Sequence, residues 1–347
     1  MSTPLRIALI GAGVMGRQHV QYIRQEAGIE LVAIGDPFTS ALADEYGIPA
    51  FADHRRMLEQ VRPEAAIIAN PNDRHVPTAI DCLEAGVATL LEKPLACSLE
   101  EARRLIEVQA RTGVPLLVGH HRRHNPIVAE TRRILASGAL GRLVTVTGLW
   151  LARKDERYFD AAWRREPGAG VLLINLVHDL DLLRFLCGEI ASVQALASHA
   201  ARGFAVEDSA ALLLQFENGA LGTLSGSDAT AAPWGWDQNA GENPAMFAQQ
   251  PEQPCYLLAG TEGSLSVPQL KLWRYGEERG WHHPLLCRQG QPSPGSAMHN
   301  QLRHFIQVVR RECPPIIGAA DAARTLALVE AARQAARERR PVTPQAL

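Results

Sequence analysis

The chain has 347 residues, of which 46% are hydrophobic and 21% are charged, and its formal net charge is −2. This length favours two domains of a globular protein. The nearly balanced charge gives no electrostatic argument for nucleic acid or an anionic membrane as a partner, and no apolar run reaches the roughly 18 residues that cross a bilayer. The six cysteines are scattered and form no C-x-x-C pair, which predicts reduced thiols in a cytoplasm.

The first 120 residues alternate between strand and helix patterns. Met1-Ser2-Thr3-Pro4 leads straight into an apolar run, so we expect no signal peptide. Strand-like runs occupy 5–10, 30–35, 65–69, 87–91 and 115–119, with a weaker one near 49–51. Helical patterns occupy about 14–27, 39–46, 53–61, 74–85 and 98–112, and Ser98 with Glu101 predicts a capping box for the last of these. Six strands with intervening helices predict a doubly wound parallel sheet of the α/β class, whose ligands bind beyond the carboxyl ends of the strands.

A glycine motif follows the first strand. It is Gly11-Ala12-Gly13-Val14-Met15-Gly16, and an acid, Asp36, ends the second strand 20 residues later. The three glycines allow a tight turn, the close approach of a pyrophosphate and the packing of the next helix, whose free N–H groups attract phosphates. A carboxylate at Asp36 accepts hydrogen bonds from a ribose 2′-OH and repels a 2′-phosphate. We therefore predict a dinucleotide site that prefers NAD to NADP, formed by Gly11, Gly13, Val14, Met15, Gly16 and Asp36.

After about residue 122 the pattern changes. A helix is predicted at 126–137, a strand at 142–152 and an apolar helix at 170–187. Further strands follow at 191–200, 208–216, 220–228, 255–260, 263–267 and 270–275, with a hairpin turn at 217–219, a long functional or mobile loop at 229–254, a polar linker at 288–296 and helices at 297–312 and 319–339. This order predicts an α+β domain with a largely antiparallel sheet. We expect a cofactor domain over 1–122 and a substrate and oligomerisation domain over 123–347, whose last helices are able to pack back on the first.

Glu92-Lys93-Pro94 directly follows the fifth strand. A lysine at the carboxyl end of a strand can donate a hydrogen bond to a substrate oxygen and stabilise the negative charge that develops there. We therefore predict that Lys93 is catalytic; the alternative is a solvated lysine in a loop.

The apolar helix at 170–187 carries Asn175, His178 and Asp181 at intervals of three residues, which places them on one face. Burying such polar groups without partners is costly, and a histidine exchanges protons near neutral pH. These properties predict that His178 is a general base oriented by Asp181. The alternative is a structural histidine in the core, with Asp181 paired to Arg184.

A basic cluster, His120-His121-Arg122-Arg123-His124, follows the sixth strand. No cysteine or carboxylate nearby completes a ligand set, so we predict no metal. We assign His121 and Arg122 to the polar rim of the active-site cleft. Other candidate walls of the substrate site are Trp150, Arg153, Tyr158, Trp163 and the loop at 229–254.

Together these segments resemble the glucose–fructose oxidoreductase, inositol dehydrogenase and rhizopine catabolism family, Gfo/Idh/MocA, over essentially the whole chain. The resemblance rests on the glycine motif with His19, Asn70-Pro71-Asn72-Asp73-Arg74-His75, Glu92-Lys93-Pro94, Trp163-Arg164, Gly168-Ala169-Gly170 and the helix bearing His178 and Asp181. It implies a Rossmann domain joined to a domain with an open-faced sheet that often mediates oligomers, here a homodimer or homotetramer. It also implies Lys93 and His178 at the nicotinamide, and Asn70, Asn72, His75 and Glu92 near the cofactor.

One departure from the family concerns the helix histidine. Members that oxidise polyols commonly carry a D-x-G-x-H pattern, and here the first and third positions are Ile174 and Leu176. Either Asn175 or Asp181 takes over the orienting role, or the substrate is not a polyol. We count Trp163, Asn175 and Asp181 among the substrate-binding candidates.

These observations predict an NAD-dependent dehydrogenase of a small hydroxylated substrate such as a sugar, a polyol or a cyclic diol. Two alternatives remain open. One is a family member that uses NAD transiently to cleave a glycosidic bond, and the other is a protein that senses a nucleotide without catalysis.

Overall fold

The computed structural model describes residues 3–347, which form two compact units. The first unit contains the chain up to His121 together with 297–326 and Leu347, and the second contains 122–296 and 327–346. Met1 and Ser2, on which the expectation of no signal peptide partly rests, lie outside the described residues. Among the described residues, no helix is long and apolar enough to cross a membrane.

The first unit is built on a six-stranded parallel sheet. Its strands are β1 (Leu5–Ile10), β2 (Ile29–Gly35), β3 (Ala50–Phe51), β4 (Ala65–Ile68), β5 (Ala88–Leu91) and β6 (Leu116–Val118). Its helices before residue 121 are α1 (Val14–Gln25), α2 (Ala41–Tyr46), α3 (His54–Val61), α4 (Asn72–Glu84) and α5 (Leu99–Thr112). The strand order is β3-β2-β1-β4-β5-β6, and every neighbouring pair is parallel, which confirms the predicted doubly wound sheet.

The composition of the strands explains this architecture. All residues of β4, β5 and β6 are buried, as expected for parallel strands that are covered on both faces. The predicted cap of α5 is confirmed in its first half, because Ser98 Oγ accepts a hydrogen bond from the Glu101 amide at 3.1 Å. The Glu101 carboxylate accepts from the Cys97 amide at 2.9 Å rather than from the Ser98 amide. A later helix, α10 (Ala297–Val309), places Leu302 and Phe305 in the same hydrophobic core.

The second unit contains an eight-stranded sheet. Its strands are β7 (Leu143–Leu151), β8 (Ile190–Ser198), β9 (Ser209–Phe216), β10 (Leu221–Ser227), β11 (Tyr256–Gly260), β12 (Ser264–Val267), β13 (Lys271–Tyr275) and β14 (Leu285–Gln289). Its helices are α6 (Pro126–Ala136), α7 (Val171–Ile174), α8 (Leu176–Cys187) and α9 (Trp236–Asn239), while α11 (Ala319–Glu338) begins in the first unit and ends in the second. The strand order is β14-β13-β12-β11-β7-β10-β9-β8, and all pairs are antiparallel except β7 with β10.

The two faces of this sheet differ in exposure. In β9 the residues alternate between buried and exposed, with Leu212 and Leu214 in the core and Leu213 exposed. The buried face packs with Leu176 and Leu180 of α8. The other face therefore presents apolar side chains to solvent in this chain, namely Val144, Leu196, Leu213, Leu221 and Leu257.

Two sequence expectations for this unit were wrong. The helix predicted over 170–187 is interrupted at Asn175, which has φ −109° and ψ −58° and separates α7 from α8. The polar linker predicted at 288–296 overlaps β14, which ends at Gln289. All five residues of β14 are exposed at the edge of the sheet, so the strand lacks the alternating apolar pattern that reveals a half-buried strand.

The loop predicted at 229–254 is partly a core element. Trp236 is fully buried in α9 and lies against Tyr256, with ring centroids 6.0 Å apart. Asn239 donates hydrogen bonds to the carbonyl oxygens of Pro233 and Gln250 at 2.8 Å. The segment is therefore held in place by its own internal contacts.

Candidate functional site

The glycine loop has the geometry of a phosphate-binding turn. Gly11 has φ +103°, and a Cβ at this position would lie 2.5 Å from the Ala69 carbonyl group. A Cβ at Gly16 would lie 2.0 Å from the Gly11 oxygen, so only glycine allows α1 to approach the loop this closely. A Cβ at Gly13 would meet nothing within 4 Å, and Val14 is 85% exposed at the first position of α1. The loop thus leaves open space beside the N-terminal amides of α1, as a bound pyrophosphate requires.

Asp36 lies at the end of β2 and contacts the same loop. Its Oδ2 accepts a hydrogen bond from the Ala12 amide at 2.8 Å, and its Oδ1 accepts one from the Phe38 amide at 2.8 Å. These bonds fix the carboxylate beside the glycine loop, where it would accept hydrogen bonds from the ribose hydroxyl groups of a dinucleotide. The side chain therefore fits the predicted role and also stabilises the turn after β2.

The segment after β4 carries a second set of polar groups. Asn70 Nδ2 donates to Thr78 Oγ1 at 2.9 Å, whereas its buried Oδ1 has no hydrogen-bond partner among the described residues. An unpaired buried oxygen of this kind fits a ligand that donates a hydrogen bond. Asn72 is the exposed first residue of α4.

His75 is buried and lies between two carbonyl groups. Its Nδ1 is 2.7 Å from the Pro94 oxygen, and its Nε2 is 3.1 Å from the Asn70 oxygen. Burial lowers the pKa of His75, although the two carbonyl oxygens and Glu92 act in the opposite direction. With both ring nitrogens engaged, His75 connects the Asn70 segment to the loop that holds Lys93 and presents no nitrogen to a ligand in this geometry.

Glu92 supports the residue that follows it. Its Oε1 lies 2.8 Å from His19 Nε2, and its Oε2 accepts a hydrogen bond from the Lys93 amide at 3.2 Å. Burial acts to raise the pKa of Glu92, but the hydrogen bond with His19 and the charges of His19, His121 and Lys93 hold it below its usual value. The half-buried Lys93 therefore follows β5 on a loop whose backbone is held by the buried Glu92 carboxylate, itself hydrogen-bonded to His19.

The second unit holds His178 on α8, one turn after the interruption at Asn175. The His178 amide donates to the Asn175 oxygen at 3.1 Å, and both side chains are half-buried. Lys154 Nζ lies 2.8 Å from Asn175 Oδ1 and 3.2 Å from Asp228 Oδ2. Burial lowers the pKa of Lys154, while the Asp228 carboxylate favours its charged form.

Asp181 contacts a different arginine from the one that the sequence suggested. Arg123 donates to it from Nε at 2.8 Å and from Nη2 at 2.6 Å, and both side chains are 2% exposed. Arg184 pairs with Glu189. The Asp181 carboxylate is thus engaged in a buried ion pair with Arg123, a partner that the sequence did not suggest.

Arg122 belongs to a buried charge cluster of the second unit. Its Nη2 lies 3.2 Å from Asp237 Oδ2, and its Nη1 lies 3.5 Å from Asp179 Oδ1. Burial acts to lower the pKa of Arg122, but Asp237 and Asp179 together raise it. Trp150 is also buried and donates from Nε1 to Asp237 at 2.9 Å. Arg122 and Trp150 therefore lie inside the unit rather than on an open wall.

The remaining candidates lie nearer the surface. Trp163 is 57% exposed, and Arg153 is exposed as well. Arg164 lies over the Tyr158 ring at 4.2 Å. His121 opens a short 3-10 turn that ends at His124. Within residues 3–347 no group of three histidine, cysteine or acidic side chains is arranged to hold a metal ion.

The fold and the glycine loop define a dinucleotide-binding α/β protein, and comparison with known proteins specifies its family. Residues 5–120 match the model of the oxidoreductase family with an NAD-binding Rossmann fold, and residues 128–266 match the Gfo/Idh/MocA C-terminal domain. The chain belongs to the Gfo/Idh/MocA oxidoreductase family. Its first domain is therefore the NAD-binding domain of an oxidoreductase.

The similarity to individual relatives extends over nearly the full chain. The chain is 28% identical to scyllo-inositol 2-dehydrogenase (NAD(+)) of Bacillus subtilis, covering 99% of this chain and 97% of the relative. It is 29% identical to D-apiose dehydrogenase of Paraburkholderia graminis, covering 98% and 90%. An oxidoreductase from Agrobacterium radiobacter, solved with NAD+, L-tartaric acid and magnesium, has the same fold, with a TM-score of 0.81 at 22% identity and 98% coverage of both chains.

Lys154 and Asp228 are neighbours of Asn175 that no sequence pattern indicated. Lys154 follows the strand predicted at 142–152, and Asp228 ends the one predicted at 220–228. They meet because β7 and β10 are parallel and end at the same edge of the sheet. Periodicity cannot reveal this, since it does not determine which strands pair.

Proposed function

We propose that the enzyme oxidises a hydroxyl carbon of a small sugar, polyol or related molecule, or reduces the corresponding carbonyl, with NAD as its cofactor. The main support is that the glycine loop and the Lys93 loop follow β1 and β5 of one parallel sheet, so both lie at the same edge. The inositol and apiose dehydrogenases among its relatives support the substrate class.

The proposed chemistry assigns one role to each candidate side chain. The bound cofactor supplies the hydride acceptor or donor. Loss of hydride from a carbinol carbon must be accompanied by loss of the hydroxyl proton, which we assign to His178 as general base. The Lys93 ammonium donates a hydrogen bond to the same oxygen and stabilises the negative charge that develops on it. The cofactor contacts are assigned to the glycine loop, Asp36, Asn70 and Asn72.

Substitution of the two side chains tests this assignment. We expect Lys93→Met and His178→Asn each to lower turnover by about 100-fold or more, because each removes a proton donor or acceptor at the reacting oxygen. The measurement is NADH absorbance in a screen of sugars, polyols, hydroxy acids and cyclic diols, with thermal unfolding as the control for folding. Near-normal turnover in both variants would remove them from the mechanism, and glycoside hydrolysis without net NADH would favour the glycosidase alternative.

We also propose that the protein works in the cytoplasm as a homo-oligomer. The free cysteines, six in this chain, support a reducing compartment. The exposed apolar face of the second sheet, formed by Val144, Leu196, Leu213, Leu221 and Leu257, supports association through a second copy of that face.

A further inference from the structure

The side chain of Asn175 has a defined orientation because of its neighbour. Lys154 Nζ lies 2.8 Å from it, and an ammonium group carries three donors and no acceptor. The amide atom that faces Lys154 must therefore be the oxygen, and the NH₂ group must point away from Lys154. Among the described residues no hydrogen bond uses Asn175 Nδ2, so this donor is available to a ligand.

Lys154 is itself held by a network that leaves it little freedom. Asp228 accepts from Lys154 Nζ through Oδ2 and from Arg202 Nε through Oδ1 at 3.0 Å. Arg202 also donates to the Lys154 carbonyl oxygen at 2.9 Å. The Lys154 side chain is only 13% exposed and lies 4.6 Å from the centre of the Tyr158 ring. The network therefore fixes the ammonium group, and with it the Asn175 amide.

The first turn of α8 joins Asn175 to His178. Asn175 is the residue that directly precedes α8, and its carbonyl oxygen accepts the hydrogen bond from the His178 amide at 3.1 Å. Their spacing of three residues places the two side chains on the same side of this turn. Leu176 packs against Gly226 of β10, where a Cβ would lie 2.5 Å from the Leu176 side chain. This close packing sets the start of α8 directly against the sheet, so the position of Asn175 relative to His178 is determined by the core.

We infer that Asn175 is a specificity-determining residue that donates a hydrogen bond to a carbonyl or carboxylate oxygen of the substrate beside the reacting hydroxyl. The inference rests on the proposed function of His178. A carboxylate at the position of Asn175 would accept a hydrogen bond from a substrate hydroxyl, whereas the oriented amide donates one. A hydroxyl oxygen also accepts hydrogen bonds, but carbonyl and carboxylate oxygens bring no competing donor, and a charged carboxylate is the stronger acceptor. A hydrogen bond between Lys154 and Oδ1 polarises the amide and makes its NH₂ group a stronger donor. The favoured substrates are therefore sugar acids or carbonyl-bearing sugars rather than simple polyols.

The experiment compares three compounds that share one ring. They are D-glucose, the methyl ester of D-glucuronate and D-glucuronate, which present a hydroxymethyl group, a neutral carbonyl and a carboxylate at the same carbon. Binding of each is measured by calorimetry in the presence of NADH, and turnover is measured with NAD. We expect the wild type to bind one or both of the carbonyl-bearing compounds about tenfold more tightly than D-glucose, since a hydrogen bond from the Asn175 amide to a carbonyl or carboxylate oxygen is stronger than one to a hydroxyl oxygen. If only the ester is preferred, the substrate group that accepts the hydrogen bond from Asn175 is a carbonyl. If only D-glucuronate is preferred, that group is a carboxylate.

Two substitutions and a control make the test specific. Asn175→Asp replaces the donor by an acceptor of the same shape, so we expect it to reverse the preference. Lys154→Met releases the amide to rotate, so we expect the preference to fall towards unity without reversing. Lys271→Met removes a lysine of β13 in the same unit, and it should leave both the affinities for the three compounds and their turnover unchanged.

The outcomes separate this inference from the proposed function. Equal binding of the three compounds by the wild type, binding of none of them, or a preference that Asn175→Asp does not change would overturn the role of Asn175. A failure of every hydroxylated compound in the wider screen to reduce NAD would overturn the proposed function, while calorimetry would still decide the inference.

Discussion

Single side chains in this protein perform tasks that depend on one or two neighbours each. Gly11 accepts a positive φ where a Cβ would collide with the chain after β4, and Asp36 reaches back to the Ala12 amide. Their roles were predictable because a glycine motif and an acid 20 residues later form a local pattern. Lys154 was not predictable in the same way, since its partners Asn175 and Asp228 are 21 and 74 residues away.

The first prediction at this scale concerns the cofactor. We expect Asp36→Ala to weaken NAD binding about tenfold or more and to relax discrimination against NADP, because it removes hydrogen bonds to a charged acceptor and the repulsion of a 2′-phosphate. Titration of NAD and NADP by calorimetry measures both affinities. Glu59→Ala, which changes an exposed carboxylate of α3, is the control. If neither affinity changed in the Asp36 variant, the assignment of Asp36 to the ribose would be wrong.

The second prediction concerns Asp179, which is fully buried beside Arg122 and Tyr256. Burial raises the pKa of Asp179 to about 6 despite the opposing effects of Arg122 and Tyr256. A folded-state pKa above the unfolded value means that the protonated form favours folding, so this contribution is present below pH 4 and lost as the pH rises through 6. Relative to Asp179→Asn, the wild type should lose on the order of 2 kcal/mol in free energy of unfolding between pH 4 and pH 7.

Urea unfolding of both proteins across this pH range measures the difference. The comparison uses the change with pH rather than the absolute stability, because the substitution also alters the contact with Arg122. A constant difference between the two proteins from pH 4 to pH 7 would show that Asp179 keeps its ordinary pKa.

At the scale of elements, helices and strands were predicted correctly where the signals for their two ends and their hydrophobic periodicity lie within their own sequence. The signals failed at the break in 170–187 and at β14. The apolar helix pattern is interrupted at Asn175, whose side chain accepts a hydrogen bond from Lys154 of another element. β14 is an exposed edge strand. Its extended conformation comes with its antiparallel pairing to β13, which its own sequence does not indicate.

The capping box of α5 gives a prediction for one element. Ser98→Ala should lower the free energy of unfolding by about 1 kcal/mol, because the Glu101 amide at the helix N-terminus loses its acceptor. Chemical denaturation measures the change. Ser98→Asp retains an acceptor at the cap and should preserve the wild-type stability; an equal loss in both variants would assign the effect to something other than the cap.

At the scale of the whole molecule, the order of elements along the chain indicated an α/β part followed by an α+β part. The structure adds that residues 297–326 belong to the first compact unit and that α11 ends in the second. The assignment of cofactor binding to the first domain and of substrate binding to the second stays a prediction. The exposed apolar face of the second sheet is the feature at this scale on which the proposed homo-oligomer depends.

We expect the double variant Leu213→Glu with Leu221→Glu to dissociate the oligomer, because charges on this face cannot be buried against a second copy without partners. Light scattering coupled to gel filtration measures the mass, and circular dichroism checks the fold. Trp281→Glu changes an apolar residue that is 90% exposed outside the strands and should leave the mass unchanged. A monomeric wild type, or a double variant with the wild-type mass, would contradict the proposed interface.

The sequence by itself determined the parallel sheet, the glycine loop, the NAD-binding domain and the family, because each depends on residues close together in the chain or on a fixed spacing. The tertiary structure decided the pairing of Asp181 with Arg123, the burial of Arg122 and the contact of Lys154 with Asn175. These pairs depend on which strands lie side by side, above all on the parallel pairing of β7 with β10. Strand pairing brings together side chains that are distant in the chain, and no local pattern encodes it.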